Sequence, residues 1–162
     1  MSTQPIIVSL EALISFHERL LGMSEQKTVL IKDGAIEELQ SLLVKERKEI
    51  RLLEQAEEKR QAEVDTWFRE RQAHQDATIT GMFEILTDDA EKKELEETTI
   101  KLTKMITKMK QQEELNQALL NQSMQFVQLN MSMMNPALKE INYGKQKQKA
   151  TPMNRSVFDS QA

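Results

Sequence analysis

The chain has 162 residues and a formal net charge of −4, with 30% charged but only 4% aromatic residues, no cysteine, four glycines and three prolines. The absence of cysteine excludes a disulfide framework, a thiolate zinc finger and a thiol nucleophile. Few turn-formers and many Glu, Lys, Gln and Leu describe a helical, elongated protein of one domain rather than two, with its core a thin seam between rods.

The charge is unevenly spread. Residues 136–162 carry Lys139, Lys145, Lys147, Lys149 and Arg155 against Glu140 and Asp159, a local +3 that leaves −7 for the remainder. An acidic body is repelled by phosphate backbones, which argues against nucleic acid as the main partner. The opening MSTQPIIVSLEALISF lacks the basic start and continuous apolar run of a signal peptide. No window approaches the ~18 apolar residues of a membrane span. A cytoplasmic location is the expectation, and the lack of cysteine suits it.

Taken in order, a first helix is expected over residues 5–32, where Leu10, Leu13, Ile14, His17, Leu20 and Leu21 recur at helical spacing and make one apolar stripe. His17 inside that stripe reads as a core-edge histidine bonded to a neighbour, and with no second histidine nearby it gives no metal site. Asp33-Gly34 breaks the helix, with Gly34 taking the left-handed conformation and Asp33 placed to cap the next helix. The second helix is expected over 35–75, on a heptad seam of Ile36, Leu39, Leu43, Glu46, Ile50, Leu53, Glu57, Arg60, Val64 and Trp67, apolar at first and then diluted by charge. Its EQAEEKRQAEVD stretch is a solvated helix with i,i+4 pairing. Residues 76–87, DATITGMFEILT, read as a short helical turn packing on Val64, Trp67 and Phe68.

The last helix, residues 88–135, contains neither Gly nor Pro and stops before Pro136. Asp88 and Glu91 form a D-x-x-E capping box at its start. Leu95, Leu102 and Met109 recur every seven residues, and Asn116, Ser123 and Asn130 continue the same phase. Around these three lie Leu119, Leu120, Phe126, Val127, Met131, Met133 and Met134. Six of the ten methionines fall on this helix, and methionine suits irregular or changing partners. Polar groups down the centre of a wide Met-rich face make a poor permanent core and a good docking surface.

The expected fold is all-α: an antiparallel three-helix bundle, or coiled-coil hairpin, over residues 1–135, with a flexible basic tail over 136–162. Helices two and three pair antiparallel along their length. Helix one lies beside residues 105–132 of helix three and leaves a two-helix extension. The tail holds the aromatic points Tyr143 and Phe158. No two carboxylates are set apart as an acid/base pair, and the chain has neither a Gly-rich phosphate loop nor a Gly-x-Ser-x-Gly elbow. No enzyme activity, cofactor or metal is expected.

LEALISFHERLLGMSEQK, KDGAIEELQSLLVKERKEI and above all NQALLNQSMQFVQLNMSM, followed by a short tail with a Tyr-Gly pair, resemble the FlgN-type flagellar export chaperones over residues 6–135. The resemblance implies an all-helical cytoplasmic chaperone of type III secretion. It would bind the amphipathic C-terminal helices of the hook-associated, hook-filament junction proteins, keep them unassembled and deliver them to the export gate. Helix-in-groove recognition assigns client binding to Asn116, Leu119, Leu120, Ser123, Phe126, Val127, Asn130, Met131 and Met134. The resemblance implies gate docking through a tail tyrosine, and Tyr143 is the only tyrosine of the chain; Phe158, the other aromatic point of the tail, is the alternative anchor. The competing readings are a generic coiled-coil scaffold, which predicts a seam of constant quality, and a regulatory adaptor without an export role.

Overall fold

Helix α1 (Gln4–Asp33) starts where Pro5 has its fixed φ at the first turn and no N–H to leave unpaired. It stops at Gly34, whose φ of 66° is open to glycine at little cost. There the Gly34 N–H bonds the Ile31 carbonyl at 3.2 Å and the Ala35 N–H bonds the Leu30 carbonyl at 3.0 Å, the paired closure of a Schellman end. Helix α2 (Ile36–Glu70) follows at once, with Ala35 at its N-cap and no side-chain cap. The expectation that Asp33 caps it is therefore corrected: Asp33 belongs to the last turn of α1.

The computed structural model describes residues 2–134, so the basic tail lies outside the described residues. After α2 come a short α3 (Ile79–Ile85) and the long α4 (Asp89–Met134). No strand occurs among the described residues, and the chain is the all-α helical bundle read from its sequence. Among the described residues two units separate, one up to Leu119 and one from Leu120 onward.

Within the first unit α1 and α2 make the closest helix pair. They run antiparallel, tied by Arg19–Glu49 at 3.1 Å and Lys27–Glu46 at 2.7 Å. The core gathers where the start of α1 meets the end of α2. Ile6, Ile7 and Leu10 pack with Val64, Trp67 and Phe68, with Met82 and Leu86 from the α3 region, and with Leu95 of α4. Each fully buried side chain of this size contributes roughly 1.5–3 kcal/mol. Trp67 and Phe68 meet edge-on with centroids 5.1 Å apart, and the Arg71 guanidinium lies 3.9 Å from the centre of the Trp67 ring. Helix α3 thus packs on Val64, Trp67 and Phe68 as expected. It sits so close that a Cβ on Gly81 would come within 3.2 Å of the Phe68 ring, and within 2.6 Å of the carbonyl oxygen of Asp76 in the preceding loop.

Two expectations about length and register are overturned. Helix α2 ends at Glu70 rather than Gln75, because Gln72 takes a φ of 50°. Its N–H bonds the Arg69 carbonyl while the Ala73 N–H bonds the Phe68 carbonyl, so this end repeats the Gly34 closure without a glycine. With α2 shortened, α1 runs along nearly all of it. Helix α1 also lies parallel to an earlier part of α4 than expected. Gln4 Nε2 donates to Glu94 Oε2 at 3.0 Å, and Asn116 Nδ2 donates to the Ser24 carbonyl at 2.9 Å. The contact covers residues 91–116 of α4, not 105–132, and three helices, not two, meet at the α3 end.

Candidate functional site

Helix α4 carries all nine residues expected to bind a client. Asp88 Oδ1 accepts from the Ala90 N–H at 2.8 Å and from the Glu91 N–H at 3.4 Å, satisfying two of the free first-turn donors. Only this half of the expected capping box forms. Glu91 Oε1 instead accepts from the Thr3 N–H at 3.4 Å, tying the start of α1 to the start of α4. Farther on, the hydroxyls of Thr98, Thr99, Thr103 and Thr107 each donate to the carbonyl four residues back, at 2.7–3.0 Å. These threonines satisfy themselves within the helix.

Near the α1–α2 turn, α4 is held by polar groups instead of apolar ones. Lys27, 6% exposed, bonds Glu113 Oε1 at 3.0 Å and Oε2 at 3.2 Å and pairs with Glu46 at 2.7 Å, joining all three long helices. Ser24 donates to Glu113 at 2.8 Å. Asn116, only 1% exposed, donates to the Ser24 carbonyl at 2.9 Å and the Ser24 hydroxyl at 3.0 Å. The Thr28 hydroxyl lies within bonding reach of Asn116 Oδ1 and accepts from the Gln112 amide. Burial alone would lower the Lys27 pKa, but the hydrogen bonds and charges of Glu46 and Glu113 outweigh it and hold the ammonium above its ordinary value.

The nine residues expected to bind a client therefore separate. Asn116 is turned into this clasp, with both amide N–H groups given to Ser24. Leu119, Leu120 and Asn130 are half-buried, while Ser123, Phe126, Val127, Met131 and Met134 are exposed. Phe126 is 65% exposed, an unusual state for a large aromatic ring in a chain with so few of them. Met124, Leu129 and Met133 are exposed as well and widen the surface beyond the expected set. At 3.6 residues per turn, these apolar side chains span an arc of about 220°, with Ser123 and Asn130 near its middle. The signal that would have found the extra members is charge. Between Glu114 and Lys139 there is no charged residue, in a chain that is 30% charged.

Two other features offer no chemistry. A cavity of about 470 Å³ lies in the α1–α2–α4 seam, lined by Leu10, Leu13, His17, Leu53, Leu102 and Ile106 among others. Its Arg60 is closed on Glu57 at 2.6 and 2.8 Å, and Gln61 on Asp65 and the Ala77 carbonyl. His17 Nδ1 donates to the Leu13 carbonyl at 2.8 Å, the core-edge role read from its sequence position. Among the described residues no group of three or more His, Asp or Glu is placed to hold a metal ion, and no helix is long and apolar enough to cross a membrane. Tyr143 and Phe158 lie outside the described residues.

The family model described as FlgN protein matches residues 1–151. The chain belongs to the FlgN family. It is 32% identical over 164 residues to the uncharacterized protein YvyG of Bacillus subtilis (strain 168), with 100% of both chains covered. No solved structure matches. FlgN-family proteins are flagellar chaperones and not enzymes. The match extends past Met134 into the tail, so the uncharged end of α4 lies wholly inside the FlgN region.

Proposed function

We propose that this FlgN-family chain is a cytoplasmic chaperone of type III secretion that binds the amphipathic C-terminal helices of hook-filament junction proteins. It keeps them unassembled and delivers them to the export gate. The observation that carries this reading is the end of α4, where large apolar side chains, Phe126 above all, stand in solvent with no charge among them. Such a face is costly to leave bare, and a helix with an apolar stripe covers it by helix-in-groove recognition. Leu119, Leu120, Phe126, Val127, Met131 and Met134, with Met124, Leu129 and Met133, supply the contact area. Ser123 and Asn130 fix the register.

The test replaces Phe126 and Val127 together with Asp. Two carboxylates forced into an apolar contact cost several kcal/mol, a loss of 100-fold or more in affinity. Calorimetric titration with a C-terminal helix peptide of the junction protein is expected to lose its signal while circular dichroism stays unchanged. Retained affinity would remove the site, and loss of helicity would make these residues core.

The tail supplies the second half of the reading. A ring on a basic tether docks on the export gate while the bundle keeps its client. Tyr143→Ala is expected to leave client affinity unchanged and to weaken binding of the loaded complex to the gate's cytoplasmic domain. If Phe158→Ala has that effect and Tyr143→Ala does not, the anchor is the extreme C-terminus.

A further inference from the structure

Four of the ten methionines stand in solvent together at the end of α4: Met124, Met131, Met133 and Met134 are 40–86% exposed. Met82 in the core is 0% exposed, and Met23, Met105 and Met109 are half-buried. Helical spacing gathers three of the four on one stripe. At roughly 100° per residue, Leu120, Met124, Val127, Met131 and Met134 fall within an arc of about 80°. A client helix seated on that stripe meets a thioether at three of its five positions. Methionine is the apolar side chain that a mild oxidant turns polar, and dedicated reductases reverse the change. The chain has no cysteine, so no thiol competes with these sulfurs for the oxidant.

We propose that Met124, Met131, Met133 and Met134 form a reversible oxidation site that sets the affinity of the chain for its client helix, an inference that rests on the client-binding reading above. The oxidant is a peroxide. A sulfur lone pair attacks one peroxide oxygen, and the O–O bond breaks as the S–O bond forms. The departing hydroxide takes the proton from the transferred oxygen and leaves as water. Sulfur has given up two electrons, and the peroxide has been reduced by two. Each sulfoxide is a polar acceptor where an apolar group stood. Pressed against an apolar client it finds no donor, so its desolvation is uncompensated. Residues 115–134 hold no Lys or Arg, so no cation of this stretch stands ready to satisfy it. In the free chain the same oxygens stay in water, and the fold is untouched because none of the four side chains is buried. Met82, enclosed by the core, is shielded from the oxidant. Oxidation therefore acts on binding and spares stability.

The full chain is treated with hydrogen peroxide, freed of oxidant, mapped by peptide mass and titrated calorimetrically with a junction-protein C-terminal helix peptide. Sulfoxide is expected first at Met124, Met131, Met133 and Met134, and last at Met82. Affinity for the peptide is expected to fall by about 30-fold or more and to return after treatment with methionine sulfoxide reductases. The urea unfolding midpoint stays where it was. A variant carrying Met124→Leu, Met131→Leu, Met133→Leu and Met134→Leu keeps the volume and apolar character of the surface. It is expected to bind the peptide equally well before and after peroxide. The variant retains Met1 and Met153, which lie outside the described residues. An equal loss of affinity in the variant would therefore move the effect to other methionines and overturn the proposal. Oxidation of Met82 as fast as the four would overturn it too. If wild type binds as tightly with all four as sulfoxides, the oxidation site is wrong and the client reading stands. If neither chain binds the peptide before any peroxide is added, the client reading fails and the oxidation site fails with it.

Discussion

Helix α4 meets three environments along its length without changing its backbone. At Leu95 it enters an apolar core with α1, α2 and α3 and is wholly buried. At Asn116 it is equally buried but held by hydroxyls, an amide and the Lys27–Glu113 pair. At Phe126 the same heptad-scale pattern stands in solvent. An apolar core is retained because exposing it loses burial energy, and a polar clasp because breaking it leaves buried groups unpaired. The exposed end has neither restraint, which leaves its side chains available to a partner.

The sharpest break of this comparison is Leu95→Ala, which opens a cavity at the densest point. A loss of about 3–4 kcal/mol is expected in urea unfolding followed by circular dichroism. Lys27→Ala tests the clasp by leaving Glu46 and Glu113 without their cation, and about 3 kcal/mol is expected there. The pH dependence has a definite sign. A lysine whose folded pKa is raised stabilises fully below its unfolded value, and that contribution disappears as pH rises through the folded one. Wild-type stability should therefore fall above the ordinary lysine pKa of about 10.4, and Lys27→Ala should flatten that fall. Gly34→Ala, forced into φ 66°, is expected to cost about 1 kcal/mol. Smallest of all, Phe126→Ala should change the stability of the free chain by no more than about 0.5 kcal/mol. A large loss there would make the end of α4 part of the core and erase the contrast.

Sequence alone determined the number and order of the helices among the described residues, because Gly34 punctuates the chain and apolar spacing of three and four residues marks the rest. It also marked α3 as a helical turn against Val64, Trp67 and Phe68. The end of α2 was not legible, since its left-handed residue is Gln72 and no glycine announces it. Register between α1 and α4 was not legible either. It is set by Gln4 on Glu94 and Asn116 on Ser24, contacts nearly ninety residues apart in the chain, and nothing local encodes them. The same reason divides the polar seam. Asn116, Ser123 and Asn130 share one heptad phase, but only Asn116 meets the Ser24–Thr28 turn of α1 and is drawn inside. Periodicity assigns residues to one face of a helix, and what that face meets is decided only when the other helices are in place.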